Sequence, residues 1–485
     1  MTRKIEWKKI KKIFFVGIKG VGMMPLSLIA KDFGFEVAGS DISEEFITDK
    51  VLGENKINIF EGFEKYDIES FFGGLQSDSC LVITTGAHSG YDNSQVIWSK
   101  NNNISILNQG QALGIFMNGK PFNRSLRGIT VTGSHGKTTI SAMLASAFSY
   151  LNMNPSYSVG TSEIFPTGYS GHYGNGEFFI AEGDEYVGEP IYDRTPKILY
   201  QKPEFAIINN IDFDHPDIYK DINDVKDTML KFINNMDFEG KIFLNSDDAN
   251  LQDLKERIRE DLEVIFYGKN NAKYKIFDIE SDLGSIKFKV AKENNLFGNF
   301  NLSIPGIHNA YNALSVIAVL DSIGIESDKI SGAIFNYRGC KRRMEMVGKT
   351  ERGSIIIDDY GHHPVEIRST LKALKEFYGK KIICVFQSHT YSRTKEFLID
   401  FSKSFSEVEE LILLPIFRSQ RDTESDIISD KDFTIPFKTV KKNVYMAKGI
   451  NDAVEYVKKL NIESDYIIVT IGAGDVYKVG YKLIK

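Results

Sequence analysis

The sequence predicts an α/β fold of three domains, each built around a mostly parallel sheet. At 485 residues the chain is too long for a single hydrophobic core, and typical domain sizes suggest about three. Short β-branched apolar runs alternate with helical stretches in three successive blocks, which is typical of parallel strands connected by helices. No internal sequence repeat accompanies the blocks. We place the domains at residues 1–119, 120–338 and 339–485.

Composition narrows the class of protein. An apolar content of 42% and a charged content of 26% are ordinary for a globular chain, and 59 basic against 65 acidic residues give a net charge of −6. That balance provides no general attraction to nucleic acid or to anionic membranes. The three cysteines, Cys80, Cys340 and Cys384, lie far apart and form no C-x-x-C pair. We therefore expect neither a disulfide framework nor a zinc site, and a reducing cytoplasm fits best.

The N-terminus shows no targeting segment. Several lysines are followed only by the short apolar run Ile13–Val16, which is far shorter than a signal peptide core or a membrane-spanning helix. We expect a cytoplasmic chain with no membrane insertion.

The first block opens with a βαβ unit. A strand is predicted at Lys12–Val16, a helix from about Met23 to Phe33, and a second strand at Glu36–Asp41. The block ends near Gly119–Pro121, where turn residues precede the next strand.

A glycine-rich turn joins the first strand to its helix. Gly17, Gly20 and Gly22, with Val21 among them, match G-x-G-x-x-G only loosely. Asp41 closes the second strand, where a carboxylate could accept hydrogen bonds from a ribose. The segment is either a nucleotide site or a tight turn for close helix packing. Because a nucleotide triphosphate site follows in the same chain, a UDP-type ligand is a more economical hypothesis than a redox dinucleotide.

A phosphate-binding loop follows the first strand of the second block. In such a loop, glycine backbone N–H groups face the phosphates, a lysine adds a positive charge, and a hydroxyl can bind Mg²⁺. Only two residues separate the two glycines, so the loop is more compact than G-x-x-x-x-G-K-[ST]. The predicted residues for a nucleotide triphosphate are Gly133, Ser134, His135, Gly136, Lys137, Thr138 and Thr139.

Two strand ends in the second block provide candidate metal ligands. Glu182 closes the strand Phe178–Glu182, and His215 follows an apolar run that begins at Phe205. Ligands in α/β proteins bind at the carboxyl ends of strands, and Mg²⁺ prefers carboxylate and phosphate oxygens. Taken alone, His215 would be a capping or core histidine. The nearby acidic residues are alternative ligands or solvent-facing groups: Asp184, Glu185 and Asp214.

A polar helix start follows Pro305–Gly306. His308, Asn309 and Asn312 occupy its first turns, and an asparagine amide can hydrogen-bond the edge of an adenine. Capping of the helix by Asn309 is the structural alternative.

The third block carries two polar motifs just after strands, Asp358–Pro364 and Gln387–Thr394. Arg393 in the second motif is suited to binding a carboxylate, because an arginine can bind a carboxylate through two hydrogen bonds. The first motif either completes that pocket or forms a structural loop fixed by Pro364. Its candidate residues are Tyr360, His362 and His363.

A short basic cluster, Lys341–Arg343, opens the third block. It is isolated, so we interpret it as a phosphate contact between domains, with Arg343 as the ATP-binding candidate, and not as a nucleic-acid patch.

Taken in order, these motifs resemble those of the Mur ligase family over nearly the whole chain. The matching segments are Gly17–Met24, Val37–Asp41, Thr132–Thr139, Asn209–His215, Gly306–Ala313, Arg342–Glu345 and Asp358–Glu366. Two residues differ from the family pattern. Ser134 replaces the usual threonine and keeps the hydroxyl, whereas Gly183 replaces the usual alanine and leaves the local loop geometry open.

The resemblance implies Rossmann-like first and third domains on either side of a P-loop ATPase domain. It implies ATP and Mg²⁺ as cofactors, with Lys137, Glu182, His215 and Arg393 as catalytic residues and with Thr138, Glu182 and His215 as metal ligands. His308 and Asn309 would contact the adenine. The first block would bind UDP-N-acetylmuramate through its glycine turn and Asp41, and Tyr360, His362 and Arg393 would bind the amine substrate.

The implied reaction is ATP-dependent amide bond formation in peptidoglycan precursor synthesis, with closure of the domains during turnover and a monomer or homodimer as the assembly. The amine is either L-alanine or a preformed tripeptide. The segments Glu182–Tyr186 and Tyr192–Phe205 resemble the tripeptide-adding branch, and Phe386–Thr394 resembles the alanine-adding branch. We favour L-alanine, because the second segment lies in the block that would hold the amine.

Two other classes remain open. A nicotinamide-dependent oxidoreductase would bind NAD in the first block, and a nucleotide-gated binding protein would hold ATP without catalysis. Neither explains the motifs of the third block.

Overall fold

The computed structural model describes residues 5–189, 191–213, 218–282, 285–418 and 427–484. The chain divides into two compact units. The first comprises residues 1–277, 290–298 and 312–338, and the second comprises residues 278–289, 299–311 and 339–485. Among the described residues, no helix has the length and apolar character needed to span a bilayer.

An all-parallel sheet forms the N-terminal part of the first unit. Its strands are β1 (Lys12–Val16), β2 (Glu36–Asp41), β3 (Asn58–Glu61), β4 (Cys80–Thr84) and β5 (Ser105–Asn108). They lie in the order β3-β2-β1-β4-β5, and every neighbouring pair is parallel. The chain therefore reverses its direction of winding between β1 and β4, which is where doubly wound sheets form a ligand crevice.

Five helices accompany this sheet: α1 (Met24–Phe33), α2 (Asp49–Glu54), α3 (Lys65–Phe72), α4 (Ser94–Asn101) and α5 (Gln109–Met117). Local sequence explains their ends. Helix α1 stops at Gly34, whose φ of 114° is left-handed. Helix α5 begins with a capping box in which Asn108 and Gln111 satisfy each other's backbone N–H groups. Two apolar cores, one on each side of β1, include Phe15 and Phe14 respectively.

A ten-stranded sheet follows. Its strands are β6 (Arg127–Thr132), β7 (Ser156–Ile164), β8 (Gly168–His172), β9 (Phe178–Glu182), β12 (Phe205–Ile208), β13 (Lys241–Asn245), β14 (Glu263–Gly268), β15 (Tyr274–Asp282), β16 (Ser285–Lys292) and β17 (Asn295–Leu302). The order is β17-β16-β15-β14-β13-β12-β6-β9-β7-β8. The pairs from β14 through β12, β6 and β9 to β7 are parallel, and the β7–β8 pair is antiparallel. A separate antiparallel pair comprises β10 (Val187–Glu189) and β11 (Asp193–Pro196).

The helices of this region are α6 (Lys137–Tyr150), α7 (Ile222–Ile233), α8 (Ala249–Leu254), α9 (Ile307–Ser322) and α10 (Ser327–Asn336). Helix α6 is apolar on nearly every face, and ten of its fourteen residues are buried, as expected for a helix enclosed by the fold. Asp221 caps α7 by accepting hydrogen bonds from the N–H groups of Asn223 and Asp224.

The C-terminal sheet belongs to the second unit. Its strands are β18 (Glu345–Lys349), β19 (Ile355–Asp359), β20 (Lys381–Phe386), β21 (Glu410–Leu413), β22 (Val444–Met446) and β23 (Tyr466–Ile471), and its helices are α11 (Pro364–Tyr378), α12 (Tyr391–Ser402), α13 (Asp430–Val440), α14 (Ile450–Lys459) and α15 (Tyr477–Leu483). The order is β18-β19-β23-β20-β21-β22, parallel except for the first pair. An apolar core covers each face of the sheet.

The predicted α/β class with mostly parallel sheets is confirmed. The strands Lys12–Val16, Glu36–Asp41 and Phe178–Glu182 have the predicted bounds, and α1 begins one residue later than expected. One detail is wrong: Asp358 and Asp359 were expected after a strand but form the last two residues of β19. The buried strand continues because their side chains are hydrogen-bonded within the fold.

Close packing of β1 against β2 gives the first testable prediction. A Cβ atom at Gly39 would lie 2.4 Å from the carbonyl oxygen of Phe15 and 2.8 Å from Ile18 Cβ. We expect Gly39→Ala to destabilise the first unit by about 1–3 kcal/mol, because the strand must move to admit the methyl group. Urea unfolding followed by circular dichroism would measure the change.

Gly53 provides the matched control, because it lies inside α2 and a Cβ there meets nothing within 4 Å. Gly53→Ala should stabilise the helix by about 0.5–1 kcal/mol. Equal effects of the two substitutions would contradict the packing argument.

Candidate active site

The phosphate-binding loop connects the carboxyl end of β6 to the first residue of α6. Gly133 and Gly136 adopt φ values of 129° and 86°, a region that favours glycine. A Cβ atom at Gly136 would lie 2.8 Å from the side-chain nitrogen of Asn209, and one at Gly133 would lie 2.9 Å from a backbone oxygen. Both positions therefore require glycine, and the loop directs its backbone toward the N-terminus of α6.

Lys137 is the first residue of α6, and its ammonium group lies over the loop. Its Nζ donates to the carbonyl oxygen of Gly133 at 2.6 Å and lies 2.9 Å from the carboxylate of Glu185. Burial by itself would lower the pKa of this lysine, but Glu185, Asp184 and Glu182 outweigh it and raise the pKa. The lysine is therefore held charged beside the loop.

Thr138 and Glu182 meet at the neighbouring strand end. Thr138 Oγ1 donates to Glu182 Oε1 at 2.7 Å, and the N–H of Gly160 donates to the other carboxylate oxygen. Both side chains are buried. A hydroxyl and a carboxylate that share one position are oxygen donors of the kind Mg²⁺ prefers, so these residues fit the implied metal.

The acidic residues near Glu182 have separate partners. Asp184 pairs with Lys197 at 3.2 Å. Burial would raise its pKa, but Lys197 and Lys137 lower it. Glu185 pairs with Lys137. The other candidates for the metal, His215 and Asp214, lie outside the described residues.

The rest of the loop is held by the segment that follows β12. The N–H of His135 donates to Asn210 Oδ1 at 2.8 Å, and Ser134 Oγ donates to the carbonyl oxygen of Asp212 at 3.0 Å. His135 Nε2 lies 3.3 Å from the Asp212 carboxylate. Thr139 lies half-buried in the first turn of α6. The serine that replaces threonine thus uses its hydroxyl to fasten the loop.

Two residues that sequence reasoning did not assign support this loop. Asn209 donates to the carbonyl oxygen of His135 at 3.2 Å and accepts from the Tyr267 hydroxyl at 3.0 Å. Asn210 donates to the same His135 carbonyl at 3.1 Å. The sequence signal for this role was the pair of consecutive asparagines after a buried apolar strand. Amides at a strand end can form hydrogen bonds with the backbone of a neighbouring loop.

Gly183 is explained by packing. A Cβ atom there would lie 2.8 Å from Thr130 Cγ2 and 3.0 Å from Ile198 Cδ1. The side chain of Ile198 occupies the space that an alanine methyl group would need.

In the N-terminal sheet, the glycine turn lies at the crevice between β1 and β4. Gly17 has a φ of 81°, and a Cβ atom there would lie 2.4 Å from Thr85, which follows β4. Gly20 and Gly22 continue the turn into α1. The N–H groups of Val21 and Gly22 donate to no acceptor within the described part of the chain. The turn therefore offers backbone donors at the expected place for a ligand.

Asp41 is buried and fastens this region. Its Oδ2 accepts from the N–H of Lys19 at 2.7 Å, and its Oδ1 accepts from the N–H of Ile42 at 2.9 Å and lies 3.4 Å from His88 Nε2. The carboxylate thus binds the turn after β1, the chain after β2 and the loop after β4 together. A ligand could bind Asp41 only through the carboxylate lone pairs that these contacts leave available.

The polar residues at the start of α9 make local contacts within the protein. Asn309 Nδ2 donates to the carbonyl oxygen of Pro305 at 2.7 Å, which is a local structural bond. His308 packs on Gly306, where a Cβ atom would lie 2.5 Å from the imidazole. Asn312 lies close to the phosphate-binding loop, with its Oδ1 3.3 Å from Asn209 Nδ2.

In the second unit, the basic cluster is largely structural. Arg342 donates to Asp358 at 2.9 Å and to the carbonyl oxygens of Gly472 and Gly474, which follow β23. Its guanidinium also stacks on Tyr360 at 5.1 Å. Lys341 pairs with Glu345 at 2.7 Å. The guanidinium of Arg343 lies 5.2 Å from the centre of the Tyr360 ring.

The loop after β19 combines a helix cap with side chains at the sheet edge. Pro364 opens α11, and His363 forms a capping box with Glu366. Tyr360 and His362 pack ring edge against ring face at 5.4 Å. These two side chains remain candidates for ligand contact.

Arg393 lies in the first turn of α12, after β20. Its N–H donates to the capping hydroxyl of Thr390 at 3.4 Å, and its side chain is buried. Thr390 itself has a φ of 65°. The carboxyl ends of β19, β20 and β23 therefore place Tyr360 and Arg393 on the same sheet edge.

This fold and loop define a P-loop nucleotide-binding enzyme class, and the family follows from comparison with known proteins. Three family models match in order: the Mur ligase family catalytic domain at residues 12–121, the Mur ligase middle domain at 131–320, and the Mur ligase glutamate ligase domain at 342–474. The chain belongs to the Mur ligase family.

Similar proteins include curated and solved members of that family. The chain is 34% identical to the UDP-N-acetylmuramate–L-alanine ligase of Caldanaerobacter subterraneus, covering 99% of each chain. The crystal structure of UDP-N-acetylmuramate-alanine ligase from Thermotoga maritima matches with a TM-score of 0.77 and 25% identity, covering 97% of this chain and 98% of that one. A murein peptide ligase from Psychrobacter arcticus shares the fold, with a TM-score of 0.72, 20% identity and 98% coverage of both chains.

Asp359 generates a prediction about pH. Burial raises its pKa from an ordinary 3.8 to about 6, and Glu366 adds to the rise, while Arg343 and the N–H groups of Met344 and Gly361 oppose it. The folded state therefore binds this proton more tightly than the unfolded state. We expect the free energy of unfolding to fall by about 2 kcal/mol as the pH rises from about 4 to about 6.

Urea unfolding of wild type and Asp359→Asn across this pH range would isolate the contribution. In Asp359→Asn, the fall in unfolding free energy with pH that we assign to Asp359 should be absent. Asp400→Asn, at an exposed position, should show the same fall as wild type. An unchanged slope in Asp359→Asn would assign the pH dependence to other groups.

Proposed function

We propose that this chain is an ATP-dependent ligase that joins L-alanine to UDP-N-acetylmuramate in peptidoglycan precursor synthesis. Family membership supports the reaction class, and relatives at 34% identity over almost the whole chain carry the name UDP-N-acetylmuramate–L-alanine ligase. Such a reaction consumes ATP and a nucleotide-linked sugar, so we place it in the cytoplasm. We keep the proposed domains at residues 1–119, 120–338 and 339–485.

The observation that carries this proposal is the meeting of three side chains at adjacent strand ends. Lys137 and Thr138 follow β6, Glu182 closes β9, and the two strands pair in parallel with Val131 opposite Glu182. A partly buried cation, a hydroxyl and a carboxylate thus lie beside one glycine loop. Side chains of these types can neutralise and position a phosphoryl group during its transfer.

The proposed chemistry has two steps. A carboxylate oxygen of UDP-N-acetylmuramate attacks the γ-phosphorus of ATP, the bond to the bridging oxygen breaks, and ADP leaves with those electrons to give an acyl phosphate. The free amine of L-alanine then attacks the acyl carbon, loses a proton, and expels inorganic phosphate to leave the amide. No side-chain nucleophile takes part, so the protein acts by positioning and charge neutralisation.

Residues of the central region would hold ATP. The backbone of residues 133–136 would receive the phosphates, and Lys137 would exchange its contact with Glu185 for phosphate oxygens. Thr138 and Glu182 would hold Mg²⁺, with His215 as a further proposed ligand. The bound ion would neutralise charge on the phosphates. We propose His308, Asn309 and Arg343 for the rest of the nucleotide.

The two other substrates would bind at the edges of the flanking sheets. UDP-N-acetylmuramate would lie at the crevice between β1 and β4, where Val21 and Gly22 offer backbone N–H donors for its phosphates. The carboxylate of L-alanine would pair with Arg393, with Tyr360 and His362 completing the pocket.

The second candidate amine is the L-alanyl-γ-D-glutamyl-diamino acid tripeptide. The segment Tyr192–Phe205, which contains β11, is the observation in its favour. An oxidoreductase remains a hypothesis of another class. NAD binding that excluded UDP-N-acetylmuramate would support it.

Phosphate release by the purified chain tests the proposal directly. With Mg·ATP and UDP-N-acetylmuramate, we expect turnover when L-alanine is added and none when the tripeptide is added. Turnover with the tripeptide alone would assign the chain to recycling of cell-wall peptides. Absence of phosphate release with both amines would rule out the proposed ligase activity.

Glu182 gives a residue-level prediction. Glu182→Gln keeps the shape of the side chain but removes its charge, so we expect kcat to fall by about two orders of magnitude, which corresponds to about 3 kcal/mol. The apparent Mg²⁺ requirement should rise, because the ion loses an anionic ligand.

Glu163→Gln in β7 is the matched control, since Glu163 is a partly exposed glutamate 4.0 Å from Lys50. Glu163→Gln should leave kcat and the apparent Mg²⁺ requirement unchanged. Normal Mg²⁺ dependence in Glu182→Gln would remove this glutamate from the metal site.

A further inference from the structure

A cavity of about 700 Å³ lies within the first unit, away from the phosphate-binding loop. Helices α1 and α6, the strands β7 and β8, and the end of α10 contribute its walls. The α6 residues that line it, Ser146, Ser149 and Tyr150, lie at the end opposite Lys137. At 1.5 Å per residue, the helix separates Tyr150 from Lys137 by about 20 Å. The cavity is therefore not part of the ATP site.

The lining is polar but carries almost no charge. It contains four asparagines, three tyrosines and three hydroxyl residues of serine or threonine. Among the described residues that line it, the charged or titratable groups besides the tyrosines are Asp32 and His172, and these contact each other at 3.1 Å. No lysine or arginine is included in this lining.

This composition selects a chemical class. A phosphate or carboxylate ligand would need a cation to balance its charge, and the described lining provides none outside the Asp32–His172 pair. A wholly apolar ligand would strip water from the amides and hydroxyls without replacing their hydrogen bonds. A neutral ligand rich in hydroxyl groups can both donate to and accept from asparagine and serine side chains.

One buried group supports a polar occupant. The hydroxyl of Ser146 is shielded from solvent and has no hydrogen-bond partner within the described residues. Such a group is uncommon, because leaving a buried hydroxyl unsatisfied is unfavourable. Nearby, His172 Nε2 lies 3.3 Å from Asn154 Oδ1, so the imidazole is held between Asp32 and an amide. The imidazole of His172 is thus oriented by its two neighbours.

We propose that this cavity is a binding site for a neutral saccharide, separate from the substrate sites. Its volume lies in the range of small-molecule sites in proteins. The amides and hydroxyls would bind sugar hydroxyls, and the tyrosine rings would cover the apolar faces of the sugar. Because α1 belongs to the N-terminal sheet and β8 to the central one, an occupant would brace these two parts of the first unit.

Saturation-transfer NMR and calorimetry on the full chain would test the site, with N,N′-diacetylchitobiose as the neutral probe and glucose 6-phosphate as the anionic one. We expect saturable binding of the first and none of the second. Added UDP-N-acetylmuramate should not displace the neutral probe. Displacement would place the probe in a substrate site, and absence of binding would leave ordered water as the only occupant. Either result would overturn the proposal.

Variants locate the binding. Ser149→Trp should abolish it by filling the cavity, whereas Ser70→Trp, at an exposed position on α3, should not. Ser146→Ala should weaken binding about three- to tenfold through the loss of one hydrogen bond. Undiminished binding in both Ser149→Trp and Ser146→Ala would exclude this cavity. The result is independent of the proposed ligase activity, because the probe is not one of its substrates.

Discussion

Parallel pairing between β6 and β9 is the constraint on which the central site depends. The register sets Val131 opposite Glu182, so the loop after β6 and the last residue of β9 end at the same edge. Only this alignment brings Thr138 Oγ1 within 2.7 Å of the Glu182 carboxylate. The two glycines of the loop depend on the pairing of β6 with β12 on its other side, because Asn209 and Asn210, after β12, leave no room for a side chain.

Electrostatics then divides the acidic residues near the loop. Glu185 and Asp184 each pair with a lysine, whereas Glu182 receives hydrogen bonds from a hydroxyl and a backbone N–H. This division keeps the partly buried Lys137 charged and leaves the Glu182 carboxylate bonded to the Thr138 hydroxyl. Three acidic residues that lie close together in the sequence thus take two different roles, which only their partners distinguish.

Much of the site was accessible from the sequence because its residues are tied to local patterns. The glycine-rich loop after β6 and Glu182 were proposed from glycine spacing and from the end of an apolar strand, and the structure brings Thr138 of that loop's helix and Glu182 together. Asp41 and Arg342 show the opposite case. From the sequence, Asp41 and the cluster that contains Arg342 were predicted to contact a ligand. In the structure, each of the two side chains connects three chain segments, mostly through contacts between residues far apart in the sequence.

The sequence by itself determined the α/β class, the strands Lys12–Val16, Glu36–Asp41 and Phe178–Glu182 and the glycine turn before α6, because these depend on periodicity, glycine and proline over short distances. The tertiary structure alone decided which polar groups meet: the support of the loop by Asn209 and Asn210, the fit of Gly183 against Ile198, and the polar cavity at the far end of α6. The physical reason is that strand order brings together residues far apart in the chain, and the local pattern of a strand contains no information about its neighbours in the sheet.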